Sequence, residues 1–217
     1  MTSARVPRIK LIIFAKAPVP GVVKTRLMPA VGAQGAAQVA KRLLEMTLTQ
    51  ALHADVDAVE MCVSPSPEHE AWRVCSLSCL YAGTSAVLWS DQGTGDLGQR
   101  MSRAVARATR EGDAVILIGT DCPELTVSKI NEAVAHLRRR SVVITPALDG
   151  GYVLLGLRRH LPMLFQNIAW STECVAHETL KRLRFMQIPH YVCEALSDVD
   201  EPEDLQRFPE LMLSLTE

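Results

Sequence analysis

The stretch FAKAPVPGVVKTRLMP, residues 14–29, ends in a tight Lys24-Thr25-Arg26 cluster. Pro18 and Pro20 fix backbone torsions and stiffen the loop, and Gly21 supplies a turn or a close backbone approach. Two cations beside the start of a helix favour an anion, because helix N-termini already attract phosphate. The competing reading is a proline-rich surface loop with solvated cations. A second set of residues carries the opposite charge. Asp121 stands in GTDCPEL, Asp149 in PALDGGY, and Asp198 and Asp200 in DVDEPEDL. A carboxylate at a strand tip can hold a divalent metal together with substrate phosphates, since magnesium uses one or two carboxylates and keeps several waters.

Each acidic motif also has a plainer use. Asp121 can cap the turn that Cys122-Pro123 opens. Asp149-Gly150 is a strong hairpin signal, while the Gly150-Gly151 amides can donate to ligand oxygens. Asp198 and Asp200 face the same side if their segment is extended, and Asp200 can cap a helix ahead of Pro202. In QGTGDLGQRM, Gly93, Gly95 and Gly98 make a loop that can lie against a flat ligand. There the Gln92 amide can read a nucleobase edge, and Arg100 can reach a phosphate or an acid. In AWST, Trp170 is core or pocket wall, and Thr172 is a helix cap.

Several chemistries are excluded. GVVKT is not a Walker A loop, because Val23 stands where that motif needs glycine. The six histidines show no HExxH spacing and no GxSxG elbow occurs, so neither a zinc nor a serine hydrolase is supported. The six cysteines form no CxxC pair and read as reduced, mostly buried thiols.

The elements that must position these residues alternate between apolar runs and segments of helical period, the pattern of an α/β layered fold. Strands are expected in IKLIIFA, VDAVEMCVSP, AVLWSDQ, DAVILIGTDCP, on both sides of the glycine turn in SVVITPALDGGYVLLGL, and in QIPHYVCEAL. Helices are expected in GAAQVAKRLLEMTLTQALHA, DLGQRMSRAVARATREG with Asp96 as N-cap, TVSKINEAVAHLRRR with Thr126 near its start, STECVAHETLKRLRFM, and EPEDLQRF. The stretch PEHEAWRVCSLSCLYAG is ambiguous. The unusual residues fall at strand tips, where sheets flanked by helices on both faces bind ligands.

The chain has 217 residues, 48% of them hydrophobic and 22% charged, with a formal net charge of -1. One domain spanning residues 1–217 is expected. The near-neutral balance argues against a nucleic-acid partner. No apolar run is long enough to span a bilayer, and no signal-peptide pattern is present. A cytoplasmic protein is expected.

The order of FAKAPVPGVVKTRL, GDLGQRM, GTDCPEL, ALDGGYVLLGL, WST and DVDEPEDL resembles the DUF2064 family of the glycosyltransferase A superfamily, from about Lys10 to Phe208. The resemblance implies a single-domain, Rossmann-like nucleotide-diphosphosugar transferase (GT-A) fold, a mixed sheet with helices on both faces. Some members are associated with arsenosugar biosynthesis as assigned glycosyltransferases. KTRL also looks like the guanylyltransferase that acts on phospholactate. The resemblance further implies a nucleotide or phosphate site from Lys16, Gly21, Lys24, Thr25, Arg26, Gln92, Gly95, Asp96 and Arg100. Asp121 would match the superfamily's metal-binding aspartate, although TDC stands where many glycosyltransferases carry Asp-x-Asp, and Cys122 is too soft to serve. Asp149 or Asp200 would complete a magnesium or manganese shell. Gly150, Gly151, Tyr152 and Trp170 would meet the acceptor, and Asp149 would serve as its base. Three classes follow: a glycosyltransferase using a nucleotide-diphosphosugar, a nucleotidyltransferase acting on a small phosphorylated substrate, and a nucleotide-binding module without turnover.

Overall fold

Strands form where the apolar runs are longest, and the first is Ile9–Lys16 (β1). Its Ile9, Leu11 and Ile13 pack on one face of a sheet and Ile12 on the other, the period-2 pattern of a strand buried on both sides. A computed structural model describes residues 7–74 and 87–213. Residues 75–83 of the ambiguous PEHEAWRVCSLSCLYAG stretch, Cys75 and Cys79 among them, lie outside the described residues.

After β1 come the helix Met28–His53 (α1), interrupted at Gly32, then Ala58–Ser64 (β2), Glu70–Val74 (α2) and Leu88–Asp91 (β3). Next are Leu97–Arg110 (α3), Ala114–Ile118 (β4) and Val127–Leu137 (α4). The strands Val142–Pro146 (β5) and Tyr152–Leu157 (β6) flank the Asp149-Gly150 turn. Val175–Phe185 (α5), His190–Val192 (β7), Pro202–Leu205 (α6) and Glu210–Leu213 (α7) complete the order.

Among the described residues these strands build one mixed sheet in the order β3-β2-β1-β4-β6-β5-β7. Only β6 runs against its neighbours, pairing antiparallel with β4 and β5. The chain moves outward from β1 through β2 to β3, and then returns to place β4 on the other side of β1. The loops leaving the carboxyl ends of the neighbouring strands β1 and β4 therefore lie side by side at one end of the sheet, the end at which α/β sheets bind ligands.

Helices cover both faces. Leu44, Leu48 and Ala51 of α1 join Ile130, Val134 and Leu137 of α4 on one side. Met101, Ala104 and Val105 of α3 pack with Leu183 of α5 on the other. A third apolar cluster joins Leu27, just past the cationic loop, to Val199, which lies between Asp198 and Asp200. Both are fully buried. Each such side chain contributes about 1.5–3 kcal/mol, so packing holds the first loop against the C-terminal segment.

Thr126 stands at the start of α4, as expected. Two other local expectations need correction. The helix at STECVAHETLKRLRFM begins at Val175, after a turn in which the Thr172 hydroxyl donates to the Ala169 carbonyl at 2.7 Å. The cap of α6 is Glu201, paired with Asp204 in a capping box, which leaves the Asp200 side chain for other partners.

Candidate active site

The loop after β1 carries its chain into the crevice through Lys24, whose backbone is left-handed (φ 47°). That conformation is uncommon for a residue with a side chain. It aims the ammonium inward, where the side chain is only 8% exposed. Lys24 Nζ lies 2.5 Å from Asp121 Oδ1 and 2.7 Å from Asp200 Oδ1, and donates to the Val199 carbonyl at 2.6 Å. Burial pulls the lysine pKa down, and the charges of Asp121 and Asp200 more than reverse this, leaving it raised. The cation expected to meet phosphate thus meets carboxylates. They come from the loop after β4 and the segment after β7, the latter fastened by the Val199 amide donating to the Asp121 carbonyl at 2.8 Å.

The same segment runs alongside the end of β5. The Leu196 amide donates to the Pro146 carbonyl and the Leu148 amide to the Leu196 carbonyl. This brings Asp198 and Asp200 to the Asp149 turn. Oxygens of Asp149, Asp198 and Asp200 all lie within 4.8 Å of one another. Burial, then the charges of Asp149 and Asp200, push the Asp198 carboxyl up to about 6. Three hard oxygen donors that repel one another, with the Lys24 ammonium meeting only Asp200 among them, suit a magnesium- or manganese-sized cation. The metal pair expected from sequence was Asp121 with Asp200. Here the Lys24 ammonium stands between those two, and Asp198, named in sequence with Asp200 as the rival metal candidates to Asp121, joins the group. Cys122 is buried, which pushes its thiol up to about 12, so it offers no thiolate.

Gly150 (φ 92°) makes the turn after Asp149 and lets backbone pass close to Glu173, where a Cβ would overlap the Glu173 backbone. The Asp149 carboxylate accepts from the Gly151 amide at 2.8 Å, as in an Asx turn. The hairpin use and the cluster use of Asp149 thus coexist.

The remaining expected contacts divide into those facing the cleft and those supporting it. Lys16, Thr25, Arg26, Gly151, Tyr152 and Trp170 line a cleft of about 550 Å³ that includes Lys24, Asp121, Asp149 and Asp200. That volume lies within the usual range for ligand pockets, roughly 300–1,000 Å³. Arg26 is 66% exposed, with Glu201 at 3.2 Å. Gly21 (φ 81°) forms the exposed bend before it. Burial raises the Tyr152 phenol, whose oxygen lies 3.9 Å from Met101 Sδ.

Gln92 borders the cleft, but its amide nitrogen is committed. It donates to the Ala15 and Cys62 carbonyls at 3.1 and 3.0 Å, clipping the ends of β1 and β2 together. The expected reading of a base edge is replaced by this clip, because a 5%-exposed amide must satisfy its donors locally. Arg100 donates to the Gly95 carbonyl at 2.9 Å and so steadies the glycine loop (Gly95 φ 99°) in place of an acid or phosphate. Asp96 caps α3 as expected, accepting from the Gln99 amide at 2.8 Å. Ser171 was not assigned from sequence. It lines the cleft with φ 62°, a backbone state that residue identity alone does not announce.

The family model DUF2064, described as an uncharacterized protein conserved in bacteria, matches residues 47–172. No curated protein matches the chain. Among solved structures, one described as a "putative nucleotide-diphospho-sugar transferase" from Desulfovibrio desulfuricans G20 is similar at TM-score 0.80 and 25% identity, over 95% of this chain and 97% of that one. The 4-diphosphocytidyl-2C-methyl-D-erythritol synthase of Anaerococcus prevotii DSM 20548 is similar at TM-score 0.63 and 12% identity, over 95% and 96%. A manganese complex of Rv0371C from Mycobacterium tuberculosis H37Rv is similar at TM-score 0.52 and 16% identity, over 94% and 98%. The last two likenesses are of fold.

Proposed function

The chain belongs to the DUF2064 family, with a nucleotide-diphosphosugar transferase fold, and from that premise we propose that it is a nucleotide-utilising transferase, specifically a glycosyltransferase that takes a sugar from a nucleotide-diphosphosugar. The observation that carries the reading is the meeting of Asp149, Asp198 and Asp200 at the carboxyl end of the sheet, with Asp200 in contact with Lys24 of the cationic loop. The fold likeness to a structure holding manganese and to one described as a nucleotide-diphospho-sugar transferase supports it.

In this reading Asp198 and Asp200 hold magnesium or manganese, which supplies charge stabilisation to the departing diphosphate. Lys24, Thr25 and Arg26, from the loop that touches Asp200, bind the phosphates. Asp149 stands at the exposed edge of the cluster and takes the acceptor's proton. Tyr152 and Trp170 form the wall on which the acceptor rests. Asp149→Asn is expected to lower turnover by about 10²–10⁴-fold while leaving nucleotide affinity nearly unchanged, since a base acts on the acceptor and not on the donor.

A second reading is nucleotidyl transfer. The fold likeness to a diphosphocytidyl-methylerythritol synthase favours it, as does the presence of Lys24 and Arg26 in the lining of the cleft. Product analysis separates the two. Glycosyl transfer releases nucleoside diphosphate from a nucleotide sugar and no pyrophosphate from a triphosphate. Pyrophosphate release with a phosphorylated acceptor, and no diphosphate from any nucleotide sugar in a panel, promotes the second reading over the first.

A further inference from the structure

Lys24 holds its three donors against three acceptors: Asp121 Oδ1, Asp200 Oδ1 and the Val199 carbonyl. An ammonium has three N–H groups, so none remains for a phosphate unless one of these bonds opens. Asp200 is shared with the Asp149–Asp198 group. A divalent cation there and the lysine ammonium therefore draw on the same carboxylate, and two cations on one carboxylate repel. The left-handed backbone at Lys24 is costly for a residue with a side chain, and the surrounding contacts hold it.

We propose that Lys24 is a built-in counter-ion that occupies Asp200 in the ligand-free protein, holds down binding of a divalent cation on its own, and passes to the phosphates when a nucleotide enters. The inference rests on the metal reading above and adds an order of events to it. Phosphate oxygens draw the ammonium off Asp200, and the freed carboxylate then favours the cation. Phosphate and cation thus raise each other's affinity, as linkage requires. Asp121 takes part by holding the lysine, not the metal.

The test titrates manganese alone, and inorganic pyrophosphate alone without metal, into the wild type, Lys24→Met and Asp121→Asn by calorimetry, with thermal melting to verify the fold. Asp121 and Asp200 are 48% and 41% exposed, so water can solvate them once the lysine is gone. Lys24→Met is expected to bind manganese about tenfold more tightly or better, the size of one lost charge-assisted competitor, and to bind pyrophosphate about tenfold more weakly. Asp121→Asn leaves the ammonium more fully to Asp200, so it is expected to bind manganese more weakly, and it carries the test should Lys24→Met fail to fold. Manganese affinity unchanged or weakened in Lys24→Met overturns the counter-ion role, as does unchanged or tightened manganese binding in Asp121→Asn. Absence of manganese binding in all three proteins overturns the metal reading itself and the inference with it.

Discussion

Lys24 and Asp200 lie 176 positions apart in the chain yet 2.7 Å apart in space. Each was visible in sequence as a charged residue at a strand tip, but their pairing was not, because it depends on β4 and β5 being placed between their loops. Gln92 illustrates the opposite case. An amide beside a glycine loop looks free until burial commits it to two carbonyls. Arg26 is the residue whose exposure leaves it available. Its ion pair with Glu201 is on the surface and worth about 0–1 kcal/mol. Arg26→Ala should therefore leave the melting temperature nearly unchanged while lowering nucleotide affinity about tenfold or more. Calorimetry alongside a thermal melt checks both halves.

Asp198 gives a pH dependence at the same scale. Its carboxyl is raised from 3.8 to about 6 by burial and by its acidic neighbours. The folded state thus holds this proton more firmly than the unfolded chain does. The cost of the charge is absent below about pH 4 and fully present above about pH 6. In the metal-free protein, stability contributed by this group falls as pH rises through that window. Asp198→Asn should flatten the fall, and denaturant titrations across pH 4–7 measure it. A fall of equal size in the variant assigns the effect to another group.

At the scale of elements, local signals were reliable where periodicity was strong. The unbroken run AVILI became β4 with all five residues buried. The Asp96 cap and the glycine turn between β5 and β6 formed where residue chemistry placed them. Boundaries set by tertiary contact were less legible. The final strand is only three residues long, yet the chain beyond it still follows the end of β5, with Leu196 bridged to Ala147, and carries Asp200 to the cleft. The role of Gly98 was hidden for the same reason. It lies in α3, where alanine would add about 1 kcal/mol of helix propensity. A Cβ there would run into the Phe165 carbonyl and the Trp170 ring. Overpacking of that kind costs about 1–3 kcal/mol, and the carbonyl belongs to backbone that yields little. Gly98→Ala should therefore lower the melting temperature by several degrees and displace Trp170 at the cleft wall. An unchanged or raised melting temperature would show that helix propensity wins.

The whole molecule places its chemistry by topology. The alternation of strands and helices announced an α/β sheet. It did not reveal that β6 runs antiparallel between β4 and β5, since pairing partners are not written in local periodicity. The sheet brings the loops after β1, β4, β5 and β7 to one end, and the expected metal and phosphate residues come from those loops or the glycine loop beside them, apart from Lys16 at the end of β1 and Arg100 in the first turn of α3. Among the described residues no helix is long and apolar enough to cross a membrane. A ligand bound across these loops stabilises the whole fold by mass action, about 2.7 kcal/mol at a hundred times its dissociation constant. For a chain of this size that is a rise of roughly 5–11 °C. Nucleoside diphosphate and manganese together should raise the melting temperature more than the sum of their separate effects. A strictly additive rise would argue that they occupy independent places.

The central claim is that Asp198 and Asp200 hold a divalent cation that a nucleotide's phosphates share. Anomalous diffraction from crystals grown with manganese and a nucleoside diphosphate tests it most directly. The account predicts a manganese peak within coordination distance of Asp198 and Asp200, with the diphosphate bridging from that ion towards Lys24 and Arg26. A peak at Asp121 without Asp198, or a diphosphate bound away from the loop after β1, would contradict it.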